Sequence, residues 1–140
     1  MIVVETPLIG LIPAHINTNE LLNLIESGAV TTKSLAVLKS MTSFSDEVIA
    51  NWLNMNVKTY RSYKSADVPL KEDLQEHTVL LIALMKHGID VFGDQENFSQ
   101  WLETENFYLG KKKPMSYLNI ISGIQYIDSR LTAMEYGDNV

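Results

Sequence analysis

The stretch FSDEVIANWLNMNVKTYRSY, Phe44 to Tyr63, decides the fold. Ser45 has the chemistry of a helix N-cap, and Val48, Ile49, Trp52 and Leu53 follow it at near-helical spacing. Ala50 is small enough to stand where two helices cross, and Asn54 tolerates the left-handed backbone of a tight turn. Asn56 then caps a second helix beginning at Val57. The spacing predicts a helix-turn-helix. At roughly 100° per residue, Tyr60 and Tyr63 lie within about 60° of each other and face inward. Lys58, Arg61 and Ser62 take the opposite side, with Lys64 on one flank. Long cations on such a face reach phosphates or guanine edges, and short polar side chains bond backbone or bases. The predicted DNA-binding set is therefore Asn56, Lys58, Thr59, Arg61, Ser62 and Lys64. A merely solvated polar face has the same pattern, and that alternative stays open on these residues alone.

Working outward, Asn17 to Asn19 read as a cap for a helix carrying Leu21, Leu22, Leu24 and Ile25 up to Gly28. A second helix starts at Thr31 or Thr32 and carries Leu35 and Leu38. Beyond Pro69 a long helix is predicted from about Leu70 to His87, with Leu74, Thr78, Leu81 and Met85 on its buried side and Gly88 at its end. Its second half is apolar all round, which marks the centre of the core. A short helix holds Phe98, Trp101 and Leu102, the last two read as core. Pro114 suits a helix start, and Met115, Leu118 and Ile121 lead into a stripe of Ile124, Ile127, Leu131 and Met134 before Gly137. Met1 to Pro13, broken by Pro7, Gly10 and Pro13, reads as an extended arm. No segment alternates like a core strand, so the fold class is all-α.

The 140 residues, 46% of them hydrophobic, fit one domain or two small ones sharing a core. Acidic residues outnumber basic ones 17 to 11, giving a net charge of -6, which argues against wholesale coating of a polyanion. The charge is uneven: residues 31 to 65 carry +3 and the remainder -9. With no cysteine there is no disulfide, thiolate nucleophile or Cys-based zinc site. No cationic region precedes Ile2 to Val4, and the longest apolar run, Val79 to Met85, is seven residues against the roughly 18 of a membrane span. A cytoplasmic protein is expected.

Nothing in the sequence assembles a catalytic centre. There is no phosphate-cradling glycine loop, no glycine-flanked serine and no paired zinc histidines. His15, His77 and His87 are scattered, and Asp73 with His77 reads as a surface pair one helical turn apart. No enzyme, cofactor or metal site is expected.

The C-terminal third is more specific. Val91-Phe92-Gly93-Asp94, Trp101-Leu102, Asn106, Leu109-Gly110, Pro114, Leu118, Ser122-Gly123, Arg130-Leu131 and Glu135-Tyr136-Gly137 follow in an order that resembles the Xre/MbcA/ParS antitoxin family, over roughly residues 19 to 137. Three positions depart from its pattern: Lys111 for the second glycine of leucine-glycine-glycine, Lys71 for a capping serine, and Asn54 for the turn glycine. The resemblance implies an antitoxin of a type II toxin-antitoxin pair. Residues 1 to 68 would form the arm and Xre-like helix-turn-helix, and 69 to 140 a helical toxin-binding domain, the long helix being shared. It implies as partner a toxin, usually a RES-domain enzyme that consumes NAD, together with operator DNA for autorepression; a homodimer is expected because so short a recognition helix reads two half-sites through paired subunits. The toxin-binding set is Leu109, Gly110, Lys111, Glu135, Tyr136, Gly137 and Asp138; the acidic tail offers carboxylates in place of phosphates to a basic nucleotide pocket. The alternatives are a stand-alone helix-turn-helix regulator and an interaction module without DNA binding.

Overall fold

The computed structural model describes residues 10 to 137. Among them the chain forms seven α-helices: α1 (Thr18–Ser27), α2 (Ser34–Ser40), α3 (Asp46–Trp52), α4 (Val57–Tyr63), α5 (Glu72–Phe92), α6 (Gln95–Glu103) and α7 (Ile121–Glu135). Two 3-10 turns, Phe107–Leu109 and Pro114–Tyr117, lie between α6 and α7. No strand occurs among the described residues, only isolated bridges between Thr31 and Pro69 and between Asn106 and Lys112. The all-α class holds. Most of the predicted arm, Met1 to Ile9, lies outside the described residues; Gly10 and Leu11 are helical rather than extended, and Ile12 is fully buried.

Helix α5 organises the rest. Val79, Leu81, Ile82, Ala83, Leu84 and Met85 are all buried, so consecutive residues face protein on every side, and α2, α6 and α7 pack around them. This helix runs five residues past its predicted end. Gly88 does not cap it: the glycine sits mid-helix, where an added Cβ would lie 2.2 Å from the Phe98 ring. The chain needs a hydrogen atom there so that α6 can approach. Gly93, at φ 93°, provides the stop, and Asp94 caps α6 by accepting from the Asn97 amide.

The stripe after Pro114 is likewise two pieces. A 3-10 turn covers Pro114–Tyr117 and α7 starts at Ile121; Gly123 admits the Tyr117 carbonyl oxygen, which lies 1.8 Å from where an added Cβ would stand. This close backbone approach folds the turn onto the first turn of α7. The Asp73–His77 surface pair is not formed either. His77 is buried against the Leu118 carbonyl oxygen at 2.9 Å, and the Asp73 carboxylate accepts from the Leu74 amide. The Thr32 hydroxyl donates to the Ala66 carbonyl at 2.6 Å and its backbone amide to the Val68 carbonyl at 3.0 Å, tying the segment before α2 to the segment before α5.

Candidate functional site

Helices α3 and α4 pack against each other. Ala50 is buried at the crossing, Asn54 takes φ 59° in the turn, and the Asn56 side chain accepts from the Thr59 amide at 2.8 Å. Tyr60 is buried and Tyr63 half-buried, fixing α4 from inside. Burial, then the nearby Asp46 carboxylate, pushes the Tyr60 phenol up to about 12. The Asn54 side-chain amide donates to the Asn119 carbonyl at 2.8 Å, so the turn is stitched to the segment before α7.

The outward face of α4 is less open than its sequence implies. Arg61 donates through Nε to Asp46 and through Nη2 to Glu47, each at 3.1 Å. Lys64 Nζ reaches the two Asp46 carboxylate oxygens at 3.0 and 2.9 Å, and Lys39 Nζ approaches Asp46 at 3.5 Å while donating to the Phe44 carbonyl. Three cations thus converge on one carboxylate at the first turn of α3, where the helix dipole also favours negative charge. The Lys64 hydrogen bond, opposed by partial burial and reinforced by Arg61, brings the Asp46 carboxyl down to about 2. Of the predicted DNA-binding residues, Asn56 is committed to capping and Ser62 donates to the Thr59 carbonyl. Lys58 and Thr59 are exposed, and Lys58 forms no ion pair among the described residues.

The predicted toxin-binding residues fall at two places. Asn106 accepts from the Tyr108 amide and, through its backbone carbonyl, from the Lys111 amide, winding residues 106 to 112 into a tight loop. Gly110 and Lys111 both adopt left-handed backbone, φ 67° and 65°. A glycine-glycine pair suits that geometry; lysine at its second position pays a steric cost of roughly 1 kcal/mol. Leu109 is 4% exposed, so its side chain belongs to the core rather than to a contact surface. The loop instead presents Phe107 and Tyr108, 78% and 57% exposed, beside Lys111 to Lys113. In the sequence the signal for this exposure is an aromatic pair in a segment without helical period.

Glu135, Tyr136 and Gly137 lie at the other end of α7, whose 15 residues rise about 22 Å. Tyr136 is 85% exposed. Asp138 lies outside the described residues. Glu135 is not a free carboxylate: it accepts from His87 Nε2 at 2.9 Å, while His87 Nδ1 meets Asp128 at 2.6 Å. Burial alone would lower the pKa of His87, but the hydrogen bonds to Asp128 and Glu135 outweigh it and raise the value. His15 stacks edge-on against the His87 ring, centroids 4.2 Å apart. Histidines 72 positions apart in the chain are thus neighbours, a juxtaposition that spacing along one helix could not show.

Residues 87–137 match the family model of the antitoxin Xre/MbcA/ParS C-terminal toxin-binding domain. The match begins at His87, in the last part of α5, and takes in α6, both 3-10 turns and α7. Both ends of α7 and the buried His87 therefore fall within the matched region. No curated protein matches the chain.

Proposed function

From the toxin-binding match over residues 87–137 we propose that this protein is the antitoxin of a type II pair, which neutralises its toxin by direct binding. The observation that carries the reading is the coincidence of that match with an exposed aromatic pair. Phe107 and Tyr108 project from a loop whose backbone is held by the Asn106 side chain and by backbone bonds between Asn106 and residues Lys111 and Lys112. A rigid loop displaying aromatic side chains loses little entropy on association, and such residues dominate binding energies. The toxin is a RES-domain enzyme that consumes NAD, and the protein works as a homodimer. The segment from Glu135 to Asp138 supplies a second contact, with Gly110 and Lys111 shaping the first.

The helix-turn-helix completes the proposal by repressing the operon through operator DNA, with Lys58 and Thr59 as its unencumbered contacts and Arg61 and Lys64 available only on breaking their pairs with Asp46. That pairing favours a second reading, an interaction module whose helix-turn-helix no longer binds DNA. The two differ in a salt series: phosphate contacts give a log-log slope of about -0.9 per neutralised phosphate, and the second reading gives none. The antitoxin reading itself is tested by co-expressing the chain with the growth-arresting product of a neighbouring reading frame. Growth should be restored and the two proteins should co-purify; arrest without rescue refutes it.

A further inference from the structure

We propose that His15, His87 and Asp128 form a binding site for a divalent transition-metal ion of the zinc class, which clasps the segment before α1 to the C-terminal half of α7. One ligand atom from each of the three lies within 4.8 Å of the others. The donors are imidazole nitrogens and a carboxylate oxygen, the set that zinc, cobalt and their neighbours take, with no thiolate to demand a softer ion.

The geometry of His87 supports ligation from one side. A metal-binding imidazole ordinarily donates its second ring N–H to a carboxylate, which fixes the tautomer and orients the ring. His87 is fully buried, and its Nε2 lies 2.9 Å from the Glu135 carboxylate, which fills that supporting role. Its Nδ1 lies 2.6 Å from Asp128. Tetrahedral ligands on bonds near 2.0 Å stand about 3.3 Å apart, so an ion entering there needs the Asp128 carboxylate to withdraw by about 0.7 Å. Asp128 is on the helix surface with a 39% exposed side chain, and His15, 59% exposed, already lies against the His87 ring with its Nε2 3.9 Å from the Glu135 carboxylate. A cavity of about 250 Å³ opens beside them, lined by His15, Asp128, Leu80, Leu84, Ile124 and Gln125. It leaves room for water as the fourth ligand on the side of His15 and Asp128.

The ion must displace the proton that His87 shares with its carboxylates, so binding tightens as pH rises and weakens on acidification. The titratable groups facing His87 are Asp128 and Glu135 from α7 and His15 from the preceding segment. The site is separate from the aromatic loop and its occupancy is measurable on the isolated chain, whatever the outcome for toxin binding.

Titration of the full-length protein with Co2+, followed by its visible d–d absorption, and competition with Zn2+ test the site directly. One ion per chain, a band of four-coordinate intensity, and at least tenfold weaker binding in His15→Ala are expected. His15 is exposed, so that variant leaves the fold in place; His87→Gln should abolish the band. Absence of the band, or equal affinity in wild type and His15→Ala, would overturn the proposal and leave His87 as a buried hydrogen-bonded imidazole.

Discussion

Replacing Asp46 by asparagine removes the charge on which Lys39, Arg61 and Lys64 converge while keeping the side chain's size. The fall of its pKa from 3.8 to about 2 corresponds to a little over 2 kcal/mol if unscreened. The cationic side chains are 37 to 52% exposed, so solvent screening leaves about 1 kcal/mol of folding stability at neutral pH. The variant should therefore show a urea midpoint lowered to that extent, with an unchanged slope. Its nucleic-acid behaviour should move the other way. Lys39 and Lys64 lose their acidic partner, whereas Arg61 keeps Glu47, so the log-log salt slope for duplex binding should steepen by about 1 to 2. Fluorescence anisotropy of a labelled duplex across a salt series reads this out. An unchanged slope in a variant that circular dichroism shows to be folded would refute the view that Asp46 holds these cations away from phosphate.

Stability should depend on pH through two groups of opposite sign. Asp46 stabilises the fold above pH 3.8, and that contribution should vanish as pH falls through about 2. His87, whose folded pKa is raised above 6.5, contributes fully below 6.5 and loses its contribution as pH rises through the folded value. Urea melts of wild type and Asp128→Asn should converge at alkaline pH; a constant gap would count against the charged pair. Gly123→Ala should destabilise by roughly 2 kcal/mol, since overpacking of 1–3 kcal/mol exceeds the helix gain of under 1. The new methyl would meet a backbone carbonyl that cannot rotate away, and thermal melting checks the result. Lys111→Gly should stabilise by about 0.5 kcal/mol by relieving the left-handed lysine, a shift in denaturant midpoint that no change or a loss would contradict.

Local features were legible in the sequence because local chemistry decides them. Asn17, Ser45 and Asn56 cap the helices they precede, Asn54 turns left-handed, and the apolar stretch from Val79 to Met85 forms the centre of the core. What escaped depended on contacts distant in the chain. Gly88 resembles a helix stop until Phe98 is seen lying against it. The same holds for the sites. The cationic face of α4 follows from helical periodicity, but its neutralisation needs the crossing of α3 that brings Asp46 alongside. His15 and His87 meet only through tertiary packing, and the exposure of Phe107 and Tyr108 depends on which side of their loop Leu109 buries.

The most direct test of the account is the affinity of the intact chain for its toxin, measured by titration calorimetry against a Phe107→Ala/Tyr108→Ala double variant. Wild type should bind stoichiometrically, and the folded double variant should bind at least 30-fold more weakly, about 2 kcal/mol for the loss of a buried aromatic anchor. Equal affinities would contradict the assignment of this loop as the toxin contact, and no binding by wild type would contradict the antitoxin reading itself.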